Sequence, residues 1–175
     1  MISIESVVAD LHQYFPVDPV PPYPPMMGMD PLCVDEYAAF ANARWTEIEP
    51  STYWHGYDIC PPNGFSSFDS LYMWNYHLPG FLAFSLANDE GSVDALDSFM
   101  FFFKRCTPVM EIQDYPNTPW WKSNFLSGGY THKQCQIIVD FLSLLKQSDG
   151  GDPFYYDWEE SDDVTLGKWV DRSSC

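Results

Sequence analysis

Twenty-five acidic residues against eight basic ones give the 175-residue chain a formal net charge of −17 at pH 7. A surface of that sign repels nucleic-acid phosphates and anionic lipid and favours a basic protein partner, so binding to nucleic acid or to a membrane is not expected. With 46% hydrophobic and 18% aromatic residues, the chain holds enough material for one core, and a chain of this size is expected to form a single domain (1–175) burying roughly 70% of its unfolded surface.

In chain order, Ser3 precedes Ile4, Val7, Val8, Leu11 and Phe15, which recur on one helical face. Serine is a good N-cap because its side-chain oxygen accepts from an orphan first-turn amide, so a helix is predicted over 4–15, ended by Pro16. The next segment, PVDPVPPYPPMMGMDP (16–31), has seven prolines in sixteen positions. Such a run supports neither a regular helix nor a central strand, and it is expected to be an extended strap laying Met and Tyr side chains on the core. VDEYAAFANARW (34–45) places Val34, Tyr37, Ala38, Ala41 and Trp45 on one face, which predicts a second helix. PSTYWHGYD (50–58) is a candidate for a short third.

SSFDSLYMWNYHLPGFLAFSLAN offers caps at Ser66 and Ser67 and is apolar on every face. Pro79-Gly80 is expected to divide it into two short helices meeting at an angle, both largely buried. Ser92 caps VDALDSFMFFFKRC, whose stripe is Val93, Leu96, Met100 and Phe103, although its FMFFF run also fits a buried strand. Residues 107–130 read as irregular. Thr131 and Gln134 then form a capping-box pattern, followed by the stripe Cys135, Ile138, Leu142 and Leu145 up to Gln147 and the stop Gly150-Gly151. DVTLGKWVDR predicts a last short helix. The whole reads as an all-α, compact helical bundle with a core over 34–147, long ordered connections and an acidic, aromatic C-terminal segment over 148–175.

Chemistry-bearing motifs are sparse. There is no GxSxG nucleophile elbow, no HExxH and no GxxxxGK[ST] phosphate cradle, and Leu166-Gly167-Lys168 is a lone GK. His12, His55, His77 and His132 are far apart in sequence. Cys33, Cys60, Cys106, Cys135 and Cys175 are odd in number and widely spaced, which suits reduced thiols better than a zinc or redox site. Neither a catalytic site, a metal nor a cofactor is expected. The N-terminal sequence lacks the marks of a signal peptide, and no apolar run is long enough to span a bilayer, so a cytoplasmic protein is expected.

DPFYYDWEESDD, residues 152–163, sets six carboxylates among four aromatic rings with no Lys or Arg. Disordered acidic tails lack such rings, because rings supply enough hydrophobic gain to drive folding or binding. Acids steer a basic partner while Tyr and Trp give contact area and stack on arginine. Tyr155, Tyr156, Asp157, Trp158, Glu159, Glu160, Asp162 and Asp163 are therefore the candidate partner-binding residues. The opposing expectation is that the rings pack on the core and only the acids face water, and a mixture of the two also fits.

FANARWTEIEPSTYW, SLYMWNYHLPGFLAFSL and THKQCQIIVDFLSLL, in that order within residues 36–147, resemble an uncharacterised bacterial family of small, mostly helical proteins. Tyr76-His77-Leu78-Pro79 and Thr131-His132-Lys133-Gln134 carry most of that resemblance, which implies the helical fold and no particular activity. By type, the chain is also similar to the immunity partners of bacterial toxins: small, acidic, cytoplasmic and without an active site. The leading expectation is thus a non-enzymatic immunity protein that neutralises a cognate basic toxin, such as a nuclease effector, and is monomeric when free. The alternatives are a DNA-mimic inhibitor, a scaffold or oligomerisation domain, and a small enzyme with a pocket built from scattered residues, for instance His55, His77 and Trp121.

Overall fold

The computed structural model describes residues 2–20, 43–48, 71–87, 96, 100, 130–148 and 156–174, with the backbone alone at 71–75 and 172. Among the described residues lie four helices and no strand: α1 (Ile4–Tyr14), α2 (Leu71–Ser85), α3 (His132–Ser148) and α4 (Glu160–Ser173), with Leu96 and Met100 also helical. The architecture is all-α. The predicted short helix at 50–58, most of the 34–45 helix and most of the 16–31 strap lie outside the described residues.

α1 starts as its sequence suggests. Ser3 is extended, its hydroxyl oxygen accepts from the Ser6 amide at 3.2 Å, and the Ser6 hydroxyl oxygen accepts from the Ser3 amide at 3.2 Å. Two orphan amides are satisfied reciprocally, with serine in the place usually taken by glutamate. Val7, Leu11 and Phe15 turn inward and are buried. Phe15 leaves the helix in an extended conformation, the state favoured by a residue before proline. The chain then follows the core: the Trp45 indole donates to the Pro16 carbonyl at 3.3 Å, and the Tyr76 hydroxyl donates to the Val17 carbonyl at 2.6 Å. Burial pushes the Tyr76 pKa up to about 12, so this phenol stays a donor throughout the physiological range.

α2 corrects the sequence reading. Pro79 lies inside one continuous helix rather than between two. Proline removes its own amide from the helical ladder and crowds the carbonyl four residues earlier, and packing outweighs both losses here. Tyr76, Leu78, Phe81, Leu82 and Phe84 are all buried, and so is His77. Burial of the described side chains from Tyr76 to Ser85, Ala83 apart, gains more from a continuous helix than the proline costs.

α3 is the central element, packed against both α1 and α4, while α1 also meets α2. The capping box is present: the Thr131 amide donates to Gln134 Oε1 at 2.9 Å, and the Gln134 amide donates to Thr131 Oγ1 at 3.3 Å. The predicted stripe Cys135, Ile138, Leu142 and Leu145 is buried, together with Ile137, Phe141 and Leu144. Gln134, only 4% exposed, also donates through Nε2 to the Tyr14 carbonyl at 2.9 Å. One amide side chain thereby closes the first turn of α3 and the last turn of α1. Beside it, Lys133 pairs with Asp10 at 2.6 Å.

α4 is longer than DVTLGKWVDR alone and begins inside the acidic run. Trp169 is wholly buried and meets Tyr130 edge-on at 5.6 Å, and Tyr130 in turn meets Phe15 at 6.1 Å. A line of rings thus ties the C-terminal helix to α1.

Candidate functional site

Residues 156–159 lead into α4 without regular structure, Glu159 extended, and the burial of successive side chains alternates. Tyr156 points inward and is 4% exposed, Asp157 faces solvent, Trp158 is half-buried and Glu159 is exposed. The Tyr156 hydroxyl donates to Asp162 Oδ2 at 2.9 Å, and the Glu159 amide donates to the same oxygen at 2.8 Å. Asp162 is wholly buried in the first turn of α4. Its carboxylate therefore joins the preceding segment to the helix N-terminus, where backbone amides and the helix dipole favour negative charge.

Trp158 is fixed from the other side. Its indole N–H donates to Asp163 Oδ1 at 3.1 Å, and Lys146, in the last turn of α3, donates to that same oxygen at 2.5 Å. The ammonium also stands 5.8 Å from the centre of the Trp158 ring, and Tyr156 meets that ring edge-on at 6.4 Å. The hydrogen bond from Lys146, and after it the one from Trp158, hold the Asp163 carboxyl below the usual aspartate range. Asp163 and Lys146 are half-exposed, so their pairing orients Trp158 more than it stabilises the fold.

The sequence-derived set is therefore divided. Tyr156 and Asp162 are interior groups bonded to each other, the arrangement in which a ring packs on the core. Asp157, Glu159, Glu160 and Asp163 lie on the outside, with Trp158 half-buried among them. Tyr155 lies outside the described residues. Part of the acid density has a purely structural cause, since Glu160, Asp162 and Asp163 occupy the first turn of α4 and complement its dipole. Asp157 and Glu159 precede the helix, and their outward side chains extend the acidic surface beyond that first turn.

A second feature had no signal in the sequence. A cleft of about 210 Å³ is lined by His12, Trp45, Thr46, Ile48, Gly80, Ala83, Phe84 and Ala87, with the His12 ring 4.9 Å from that of Trp45. Its lining comes from three segments distant in sequence, with Gly80, Ala83 and Phe84 supplied by α2. Of the residues named for a scattered active site, His55 and Trp121 lie outside the described residues. His77 is wholly buried, meets Tyr76 edge-on at 4.9 Å, and is pushed down to a pKa of about 3 by burial, which keeps its ring neutral. The division into two helices expected at Pro79-Gly80, just after it, does not form.

Among the described residues, no group of three His, Cys, Asp or Glu side chains is placed to hold a metal ion. Among the same residues, no helix is long and apolar enough to cross a membrane. No family model, curated protein or solved structure matches the chain.

Proposed function

We propose that the chain is a non-enzymatic inhibitor of the immunity type, binding a cognate basic toxin by protein–protein contact and neutralising it. The observation that carries this reading is the set of outward acids, Asp157, Glu159, Glu160 and Asp163, mounted on a segment whose inner side chains are locked. A segment already held in place lowers the ordering entropy lost on binding, and the net charge of −17 accelerates encounter with a positive partner. Half-buried Trp158, held by Asp163 and Lys146, stands among the acids and is of a residue type enriched at binding hot spots. The resemblance in type to toxin immunity proteins agrees with this chemistry, and a nuclease is one effector basic enough to suit it.

The test is co-expression of the chain with the product of the adjacent gene, followed by affinity capture and a growth-rescue assay. A tight complex that weakens with salt and restores growth is expected. An adjacent product that neither binds nor inhibits growth would remove the proposal.

A further inference from the structure

Lys146 on α3 and Asp163 on α4 belong to different helices, and the ammonium reaches one carboxylate oxygen, Oδ1, at 2.5 Å while standing 5.8 Å over the centre of the Trp158 ring. The indole N–H holds that same oxygen at 3.1 Å. Carboxylate, indole ring and cation thus meet in one place, the set of groups by which proteins recognise a lysine or arginine side chain. Lys146 and Asp163 are 48% and 50% exposed, so their pairing is open to solvent and contributes little to stability. Asp163 Oδ2 accepts no hydrogen bond from the described residues, so the ammonium uses half of the carboxylate. The surroundings are acidic on this side of α4: Glu160 stands one turn before Asp163, and Asp157 and Glu159 precede the helix, all three exposed. The basic positions of α4, 168 and 172, lie about 140° and 180° round the helix axis from Asp163 and belong to other sides.

We propose that Asp163 and the Trp158 ring form a receptor for an arginine side chain of the partner, occupied in the free protein by Lys146 as an internal stand-in. A guanidinium suits this set better than an ammonium does. Its planar fork donates two parallel N–H groups, one to each carboxylate oxygen, and its flat face stacks on an aromatic ring. Lys146 offers a point charge to a single oxygen, so an incoming arginine displaces it at little cost, and the long lysine stem carries the ammonium back into water. Until then the stand-in keeps the carboxylate paired and the indole oriented, which lowers the ordering entropy that binding must lose. The inference rests on the proposed reading of a basic partner and adds to it the side chain recognised and the residues that recognise it.

Two peptides of equal positive charge serve as probes, one with arginines and one with lysines spaced by glycines. In NMR titrations the arginine peptide should move the Trp158 indole N–H and the Lys146 ammonium signals together, and bind at least about threefold more tightly than the lysine peptide. Lys146→Met removes the stand-in and should tighten the arginine peptide about threefold more than Lys168→Met, which removes the same charge from another side of α4. Asp163→Asn should erase the preference for arginine, and all three variants should keep the helical circular dichroism. Equal affinities for the two peptides, Lys146→Met no tighter than Lys168→Met, or a preference that survives Asp163→Asn would each overturn the inference. A toxin bound equally by the Lys146→Met and Lys168→Met proteins would overturn this receptor while leaving the inhibitor reading intact. Absence of any toxin, with the peptide results as expected, would do the reverse.

Discussion

Tyr156→Phe separates the structural role of the acidic segment from its surface role. The substitution deletes one hydroxyl, whose bond to Asp162 Oδ2 is 2.9 Å long and lies in the interior. A hydrogen bond to a charged group contributes about 1.5–3 kcal/mol, and the buried carboxylate keeps its desolvation cost after the donor is gone, so a loss of about 2 kcal/mol is expected. Asp162→Ala removes the same bond together with the one from the Glu159 amide. The double variant should then be less destabilised than the sum of the two, with a coupling of about 1–2 kcal/mol. Urea unfolding followed by far-UV circular dichroism gives all three numbers. Trp158→Ala, at a partly buried ring packed against the core, should cost about 3 kcal/mol and, in the folded fraction, also weaken partner affinity. A neutral Tyr156→Phe, or two single variants that simply add, would mean that the Tyr156–Asp162 bond does not hold the segment in place.

Three further outcomes are expected. Gln134→Ala removes a helix cap and leaves the Tyr14 carbonyl without its donor, which should cost about 2–3 kcal/mol in urea unfolding, whereas an effect under about 0.5 kcal/mol would show that the bridge is dispensable. The His77 pKa is lower in the folded than in the unfolded state, so the unfolded chain binds the extra proton; stability should fall as pH drops below 6.5 toward about 3, by about 1.4 kcal/mol per pH unit, and His77→Leu should flatten that slope. Gly167→Ala should add about 0.5–1 kcal/mol, read as a rise in Tm, because the new methyl enters open space on a helix.

The parts of this architecture that were legible in the sequence are those fixed by residues three or four apart. Ser3 and the Thr131–Gln134 pair announce helix starts because a cap is a local hydrogen bond, and the stripe from Cys135 to Leu145 announces its buried face because helical spacing is local too. Pro79 misled for the complementary reason. The rule that proline breaks helices weighs a local loss, whereas the continuity of α2 is decided by burial against distant elements. The start of α4 was hidden because an acidic run reads equally as a solvated connection and as charge placed on a helix dipole. At the candidate site, the alternation in burial from Tyr156 to Glu159 is a period of two that the sequence does carry. Which rings fall inside depends on the phase of that period, set by the Tyr156–Asp162 bond. The His12–Trp45 cleft left no trace at all, since its walls meet only after folding.

The double duty of Gln134 has a kinetic and dynamic consequence. A helix end normally frays on its own, because its terminal groups exchange protein partners for water one at a time. Here the last carbonyl contact of α1 and the first amide contact of α3 share one side chain across 120 positions of chain. Opening either end strains the other, so the two termini should exchange their amide hydrogens together, as one cooperative unit joining the beginning of the chain to its last third.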